Sequence, residues 1–343
     1  MRGHGDLSQL QLAEVPTPEI SAPGDVRIAI RAAALNHLDL WTLHGLPGLD
    51  LAFPHVLGGD GAGVVDAVGN GVQRVKPGDR VMFNPGISCY RCDWCLRGEH
   101  SLCENYRLLG EHLSGTIAGY VVIPEQNVVP IPTGPSGEVS FAEAAAYSLV
   151  TLTAYRMLVT RARVRPGEAV LIWGIGGGVS SMAVQVARLA GAFVIATSSS
   201  DAKLERAKAL GADVTVNHGT DDVVKAVRRA TGRKGVDVVV DNVGEATWDT
   251  SLRLLDRGGR LVTCGGTTGA RVGVDVRRLF WNQWDLLGST MGNHAEYQEI
   301  VRLLEQGKLA PVIDATFPFA EAIEAVRRLE GGEQFGKVVV EID

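Results

Sequence analysis

Val170-Leu-Ile-Trp-Gly-Ile-Gly-Gly-Gly-Val-Ser180 runs an apolar segment straight into a glycine cluster, and amphipathic sequence continues from it to Ala190. The stretch reads as a buried strand, a tight turn and the opening of a helix at about Val179. Gly174, Gly176, Gly177 and Gly178 let the backbone approach a pyrophosphate closely. The helix N-terminus behind them offers free N–H groups and the positive end of its dipole. A second apolar run, Phe193–Thr197, follows about twenty residues later, as a dinucleotide-binding βαβ unit requires. It ends in Ala196-Thr-Ser-Ser-Ser-Asp-Ala-Lys203. Ser198 stands where a cofactor without a 2′-phosphate usually meets an acid. Ser198, Ser199 and Lys203 supply hydroxyls and a cation, which suit a phosphate better than a diol, so NADP(H) is expected ahead of NAD(H).

The alternation of strand and helix continues on the C-terminal side. Asp201–Leu210 reads as a helix closed by Gly211, and Val236–Val240, Arg260–Cys264 and Asp285–Gly288 read as strands. Apolar strands alternating with amphipathic helices predict a doubly wound parallel sheet. On the N-terminal side the texture is different. Val26–Ile30, Gly63–Val68, Ala118–Ile123 and Val128–Ile131 are short strands between turn signals, and Val72-Gln-Arg-Val-Lys-Pro-Gly-Asp-Arg-Val-Met82 reads as strand, Pro-Gly turn and strand. Ser140 to Val159 is helical, opening on a Ser140–Glu143 capping pattern. A helix over Ala320–Leu329 and a strand over Lys337–Ile342 finish the chain. The expected fold class is α/β with a second, β-rich domain.

The chain's 343 residues suffice for two domains, and a formal charge of −6, from 33 basic and 39 acidic residues, argues against nucleic acid or an anionic membrane as partner. No apolar run is long enough to span a bilayer, and the start has no secretory apolar region, so a cytoplasmic protein with reduced thiols is expected. Four of the five cysteines, Cys89, Cys92, Cys95 and Cys103, fall in one short C-x2-C-x2-C-x7-C stretch. Four thiolates suit tetrahedral zinc with no open position, hence a structural site. An iron–sulfur cluster shares the ligand type, but nothing else in the sequence points to electron transfer. Cys264, at a strand end, reads as a small buried hydrophobe near the cofactor.

A cysteine quartet followed some seventy residues later by a dinucleotide fold resembles the medium-chain dehydrogenase/reductase superfamily, which includes zinc alcohol dehydrogenases and quinone oxidoreductases. The resemblance spans the chain through Pro54-His-Val-Leu-Gly-Gly-Asp-Gly-Ala-Gly-Val-Val65, Val75-Lys-Pro-Gly-Asp-Arg-Val81, the glycine loop and Phe335-Gly-Lys-Val-Val-Val340. It implies a GroES-like domain from residues 1–150 and 292–343, with a zinc lobe at about 86–106, and a Rossmann domain over 151–291. It also implies a homo-dimer or homo-tetramer, with the strand at Asp285 as an edge for pairing. Thr153, Asn242, Val243, Gly265 and Gly266 match positions that line the cofactor pocket.

The departures decide the chemistry. Where zinc alcohol dehydrogenases place the ligands of a catalytic zinc, this sequence has Asn36, Gly59 and Leu149, with Asp60 replacing a glutamate. None is a good zinc donor. Asn36-His-Leu-Asp39 is similar to the Asn-x-x-Asp stretch of the zinc-free quinone oxidoreductases, although Trp41 and Pro47 stand where those have tyrosines. Ser180 replaces the last glycine of the phosphate loop, which implies looser helix–strand packing. The expectation is hydride transfer between NAD(P)H and a small carbonyl, enone or quinone, with one structural zinc. Asn36 would donate a hydrogen bond to the substrate oxygen, Asp39 orient it, and His37 and His44 supply protons. Alternatives are a zinc-dependent alcohol dehydrogenase with a metal on His37, Asp39, His44 or Asp60, and a non-enzymatic cofactor-binding protein.

Overall fold

The computed structural model describes residues 1–232 and 234–343. The chain divides into two units, Met1–Val150 with Gly292–Asp343, and Thr151–Met291.

The first unit is built on Asp25–Ala34, in which Val26, Ile28 and Ile30 alternate inward, the period of a half-buried strand. Its seven-stranded sheet runs Ile313–Pro318, Lys337–Glu341, Asp25–Ala34, Asp60–Val68, Arg80–Phe83 and Val128–Pro130, with Tyr120–Pro124 also paired to Asp25–Ala34. Phe83, Ile123, Val338 and Val340 fill the core beneath it. The two chain ends thus share one sheet, and Lys337 lies on a strand whose partner leads directly to Asn36.

The strand expected over Val72–Val75 is not formed, whereas Arg80–Phe83 is. The backbone N–H groups of Gln73 and Arg74 both donate to the Glu125 carboxylate, so a side chain takes the bonds a neighbouring strand would have provided. Residues 37–44, to which no element was assigned from the sequence, form the helix His37–His44, stopped by Gly45 at φ 93°.

In the second unit the central strands are buried along most of their length, as Val170, Leu171, Ile172 and Val238, Val239, Val240 illustrate, because helices cover both faces of a parallel sheet. The order is Val214–Asn217, Phe193–Ser198, Ala169–Ile172, Val236–Val240, Leu255–Thr263 and Asp285–Gly288, all neighbours parallel. The order reverses between Ala169–Ile172 and Val236–Val240, so the loops leaving these two strands flank the crevice where such sheets bind ligands. Asp285–Gly288 is an edge strand. Trp284 beside it is buried and donates to the Asp256 carbonyl at 2.9 Å, whereas Trp281 is 70% exposed. Among the described residues, no helix is long and apolar enough to cross a membrane.

Candidate active site

The phosphate loop follows Ala169–Ile172 and leads into the helix Gly178–Leu189. Gly174 sits at φ 63°, a conformation that strains any residue with a side chain, and its N–H points toward the Thr197 hydroxyl at 3.4 Å. Gly176, Gly177, Gly178 and Val179 are half-exposed. Gly178 and Val179 open the helix, where first-turn N–H groups have no intrahelical acceptor. Ser180 is buried, and its hydroxyl donates to the Trp173 carbonyl at 2.9 Å, so the replacement of glycine is absorbed by a hydrogen bond.

At the next strand end Ser198 is buried and accepts from the Ser200 N–H at 3.1 Å, Ser199 is exposed, and Lys203 is half-buried. The nearest acid, Asp201, accepts from the Asn217 amide at 2.7 Å. Across the switch point, Asn242 and Val243 follow Val236–Val240, and Gly265 and Gly266 follow Leu255–Thr263. The Asn242 side chain accepts from the backbone N–H of Cys264 at 3.0 Å and from its thiol at 3.2 Å. Burial pushes that thiol up to about 12, so it stays protonated and is no nucleophile. Thr153 is buried, its hydroxyl 3.7 Å from the Met291 sulfur.

Cys89, Cys92, Cys95 and Cys103 bring their four sulfurs within 4.8 Å of one another. Four sulfurs each about 2.3 Å from one ion stand about 3.8 Å apart, so small side-chain adjustments close the shell around zinc. The pairing of Gly86–Ile87 with Arg107–Leu108 shuts the base of the lobe, and Cys92 caps the short helix Asp93–Leu96. Backbone N–H groups of Cys89 and Asn105 point at the Cys103 sulfur, at 3.2 and 3.4 Å, as thiolates require. The N–H groups of Arg91 and Cys92 hold the Cys89 thiol well below its ordinary range. Among the described residues this quartet is the one group of three or more His, Cys, Asp or Glu placed to hold a metal. His37, Asp39, His44 and Asp60 are not brought together as a ligand group. His44 lies 3.6 Å from Glu330 at the surface, and Asp39 and Asp60 are spent on other bonds.

The three positions that would ligate a catalytic zinc do converge. A Cβ built on Gly59 would lie 3.2 Å from Leu149 Cδ1 and 3.9 Å from Asn36 Nδ2. What meets there is an amide, a bare backbone and a methyl group.

Around Asn36 the polar groups are buried and mutually bonded. Asn36 caps the helix His37–His44 through its backbone, its N–H donating to Asp39 at 2.7 Å, and its side chain makes no capping bond. Asp39 accepts also from the Gly58 N–H at 2.7 Å; burial nevertheless pushes its carboxyl up to about 6. The freed Asn36 amide donates to Asp60 at 3.0 Å and to the Ala34 carbonyl at 3.3 Å, and accepts from the Lys337 ammonium at 2.5 Å. Lys337 donates to Asp60 at 2.9 Å, and Asp60 accepts the Leu149 N–H at 2.8 Å. Lys337 and Asp60 were missed by sequence reasoning as a pair, because 277 residues separate them. His37 is exposed, edge-on to Trp41 at 5.4 Å; partial desolvation and then His44 hold its pKa below the ordinary imidazole value.

The comparisons with known proteins identify the family. The family model of the alcohol dehydrogenase GroES-like domain matches residues 22–133, and that of the zinc-binding dehydrogenases matches residues 178–306. A solved NAD-dependent alcohol dehydrogenase is 47% identical, covers 100% of this chain and 98% of its own, and superposes with a TM-score of 0.95. An alcohol dehydrogenase of Geobacillus stearothermophilus is 34% identical over 338 residues, 97% of this chain and 96% of that protein. A 2-octenoyl-CoA carboxylase reductase, solved with NADP and 2-octenoyl-CoA, is 33% identical, covers 98% of this chain and 82% of its own, with a TM-score of 0.87. These likenesses replace the non-enzymatic alternative with an NAD(P)-dependent oxidoreductase. The chain belongs to the zinc-binding alcohol dehydrogenase family of the medium-chain dehydrogenase/reductase superfamily.

Proposed function

We propose that the protein reduces a small carbonyl, enone or quinone with NADPH, without a catalytic zinc, and holds one structural zinc in the cysteine quartet. The observation that carries this reading is the convergence of Asn36, Gly59 and Leu149 with a single neutral amide among them. When bound, the nicotinamide supplies the hydride. The balance would be one hydride from NADPH, left as NADP+, and one proton from water taken up by the reduced substrate. The substrate oxygen gains negative charge as the hydride arrives, and a fixed hydrogen-bond donor lowers that barrier. Asn36 is assigned that donor role, with Asp39 fixing its backbone. His37, kept neutral at pH 7 by its lowered pKa, is assigned to relay the proton from water. No step is assigned to His44. The name of the octenoyl-CoA relative favours including enones among the substrates.

The test is turnover of NADPH with 1,4-benzoquinone and with cyclohexenone. Asn36→Ala should lower kcat by about 100-fold, the scale of losing one oxyanion donor, with the Kd for NADPH unchanged. Unaltered kcat would remove Asn36 from the chemistry and with it the proposed mechanism.

The preference for NADPH rests on the serines at Ser198 and Ser199, on Lys203, and on Asp201 being bonded to Asn217. Titration of the nucleotides by fluorescence should give a lower Kd for NADPH than for NADH. Lys203→Ala should weaken NADPH binding about tenfold, the loss of roughly one charge-assisted contact, and leave NADH unaffected. Tighter binding of NADH by the unaltered protein would reverse the assignment.

We further infer a homodimer formed along the Asp285–Gly288 edge, beside which Phe280 and Trp281 are 63% and 70% exposed. Sedimentation velocity should show twice the chain mass, and Trp281→Asp should shift it toward one. A monomeric unaltered protein would refute the interface.

A further inference from the structure

The amide of Asn36 is asymmetric, and its two ends have opposite hydrogen-bonding characters. Its surroundings decide which end faces where. An ammonium can only donate, so the group 2.5 Å from Lys337 must be the Asn36 oxygen. A carboxylate can only accept, so the group 3.0 Å from Asp60 must be the Asn36 nitrogen. The two charges also face each other at 2.9 Å, with Lys337 only 3% exposed and Asp60 fully buried. An inverted amide would set oxygen against carboxylate and NH2 against ammonium.

The same contacts polarise the amide. Lys337 draws charge toward the oxygen, which makes the N–H groups better donors, and the low-dielectric surroundings strengthen the effect. One of the two N–H groups is firmly held by Asp60. The other reaches the Ala34 carbonyl at 3.3 Å, the longest bond of the set and the easiest to exchange for another acceptor.

We propose that Lys337 and Asp60 are positioning residues for the reduction: together they lock and polarise the Asn36 amide so that the N–H now held by Ala34 is presented to the substrate oxygen. The pair acts through Asn36 and touches neither substrate nor cofactor in this assignment. The proposal rests on the reading of Asn36 as the oxyanion donor given above.

The experiment is a double-mutant cycle on the full chain with NADPH and 1,4-benzoquinone. One arm is Asn36→Ala. The other is the joint change Asp60→Asn with Lys337→Met, which removes both charges, keeps an acceptor for the Leu149 N–H and lets the Asn36 amide invert. The third variant combines all three changes. The joint change should lower kcat at least tenfold in the unaltered background and less than twofold in the Asn36→Ala background, with KM for the quinone and Kd for NADPH within twofold throughout. Thermal melts and NADPH binding establish that each variant is folded; a joint variant that fails to fold is replaced by Asp60→Asn with Lys337→Leu, which likewise removes both charges and for which the same fold-changes are expected. Independent, multiplicative losses would overturn the proposal, because residues acting only through Asn36 lose their effect when Asn36 is gone. So would an unchanged kcat in the joint variant. An unchanged kcat in Asn36→Ala alone would instead sink the underlying reading of the site.

Discussion

Freshly purified protein should contain one zinc per chain, and Cys95→Ser should carry almost none. Cys95, like Cys103, is buried in the lobe, and burial first, then the neighbouring Cys103 and Cys92 thiols, push its thiol up to about 12. A thiol held that far up in the metal-free chain is a poor ligand until the cation arrives. Zinc must therefore displace its proton, and binding falls with pH for the same reason. A serine hydroxyl is much harder to deprotonate and leaves three thiolates around an incomplete shell. The lobe has little regular structure of its own, a two-residue ladder at its base, one four-residue helix and one turn of 3-10 helix, and is tied to the rest of its unit by the bonds of Asn127 to Tyr90 and Gly86. Structural zinc sites supply on the order of 10 kcal/mol of folding free energy in small domains. Loss of the ion should open residues 86–106 to protease while the parallel sheet of the other unit keeps its fold. Metal content by atomic emission and limited trypsin digestion read both effects. Two equivalents of zinc in the unaltered protein would contradict the metal-free reading of Asn36, Gly59 and Leu149 and favour alcohol dehydrogenase chemistry.

How far the molecule is legible in its sequence depends on how local each signal is. The glycine loop, the paired apolar runs on either side of it and the cysteine spacing are contained in short windows, and each is found where its local pattern places it. The helix His37–His44 lacks the apolar stripe that normally announces one. Its signals were the Asn36–Asp39 spacing at the start and Gly45 at the end, which also fit a turn. The false strand at Val72–Val75 had the right composition but lost its partner to a single carboxylate, Glu125, that no local pattern connects to it. The hardest part was the site itself. Asn36, Asp60 and Lys337 are brought together by a sheet that joins the two ends of the chain, through the pairing of Ala34 with Val339 and with Asp60. Sequence resemblance located Asn36 and Asp60 as replacements for metal-site residues. Only the register of that sheet puts an ammonium beside them.

Breaking that ion pair from one side should be the most damaging single substitution in the first unit. Asp60→Ala would leave the buried Lys337 ammonium with the Asn36 oxygen as its remaining hydrogen-bond partner, and would strip the acceptor from the Leu149 N–H and from one Asn36 N–H. Removing one member of a buried pair typically costs about 3–5 kcal/mol, because the remaining charge has no compensation. Against a total stability of roughly 5–15 kcal/mol, this is enough to leave the variant partly unfolded at physiological temperature. Removing both charges together is a different matter. The desolvation penalty disappears along with the attraction, and such replacements are often close to neutral. Asp60→Asn with Lys337→Met should therefore lie within about 2 kcal/mol of the unaltered protein, although each charge removed by itself is far worse. Urea denaturation of the three proteins reads the difference directly as a shift in midpoint at constant slope. If Asp60→Ala proved as stable as the joint variant, the Lys337 ammonium must reach water or shed its proton, and the buried ion pair would not be what holds this corner of the sheet.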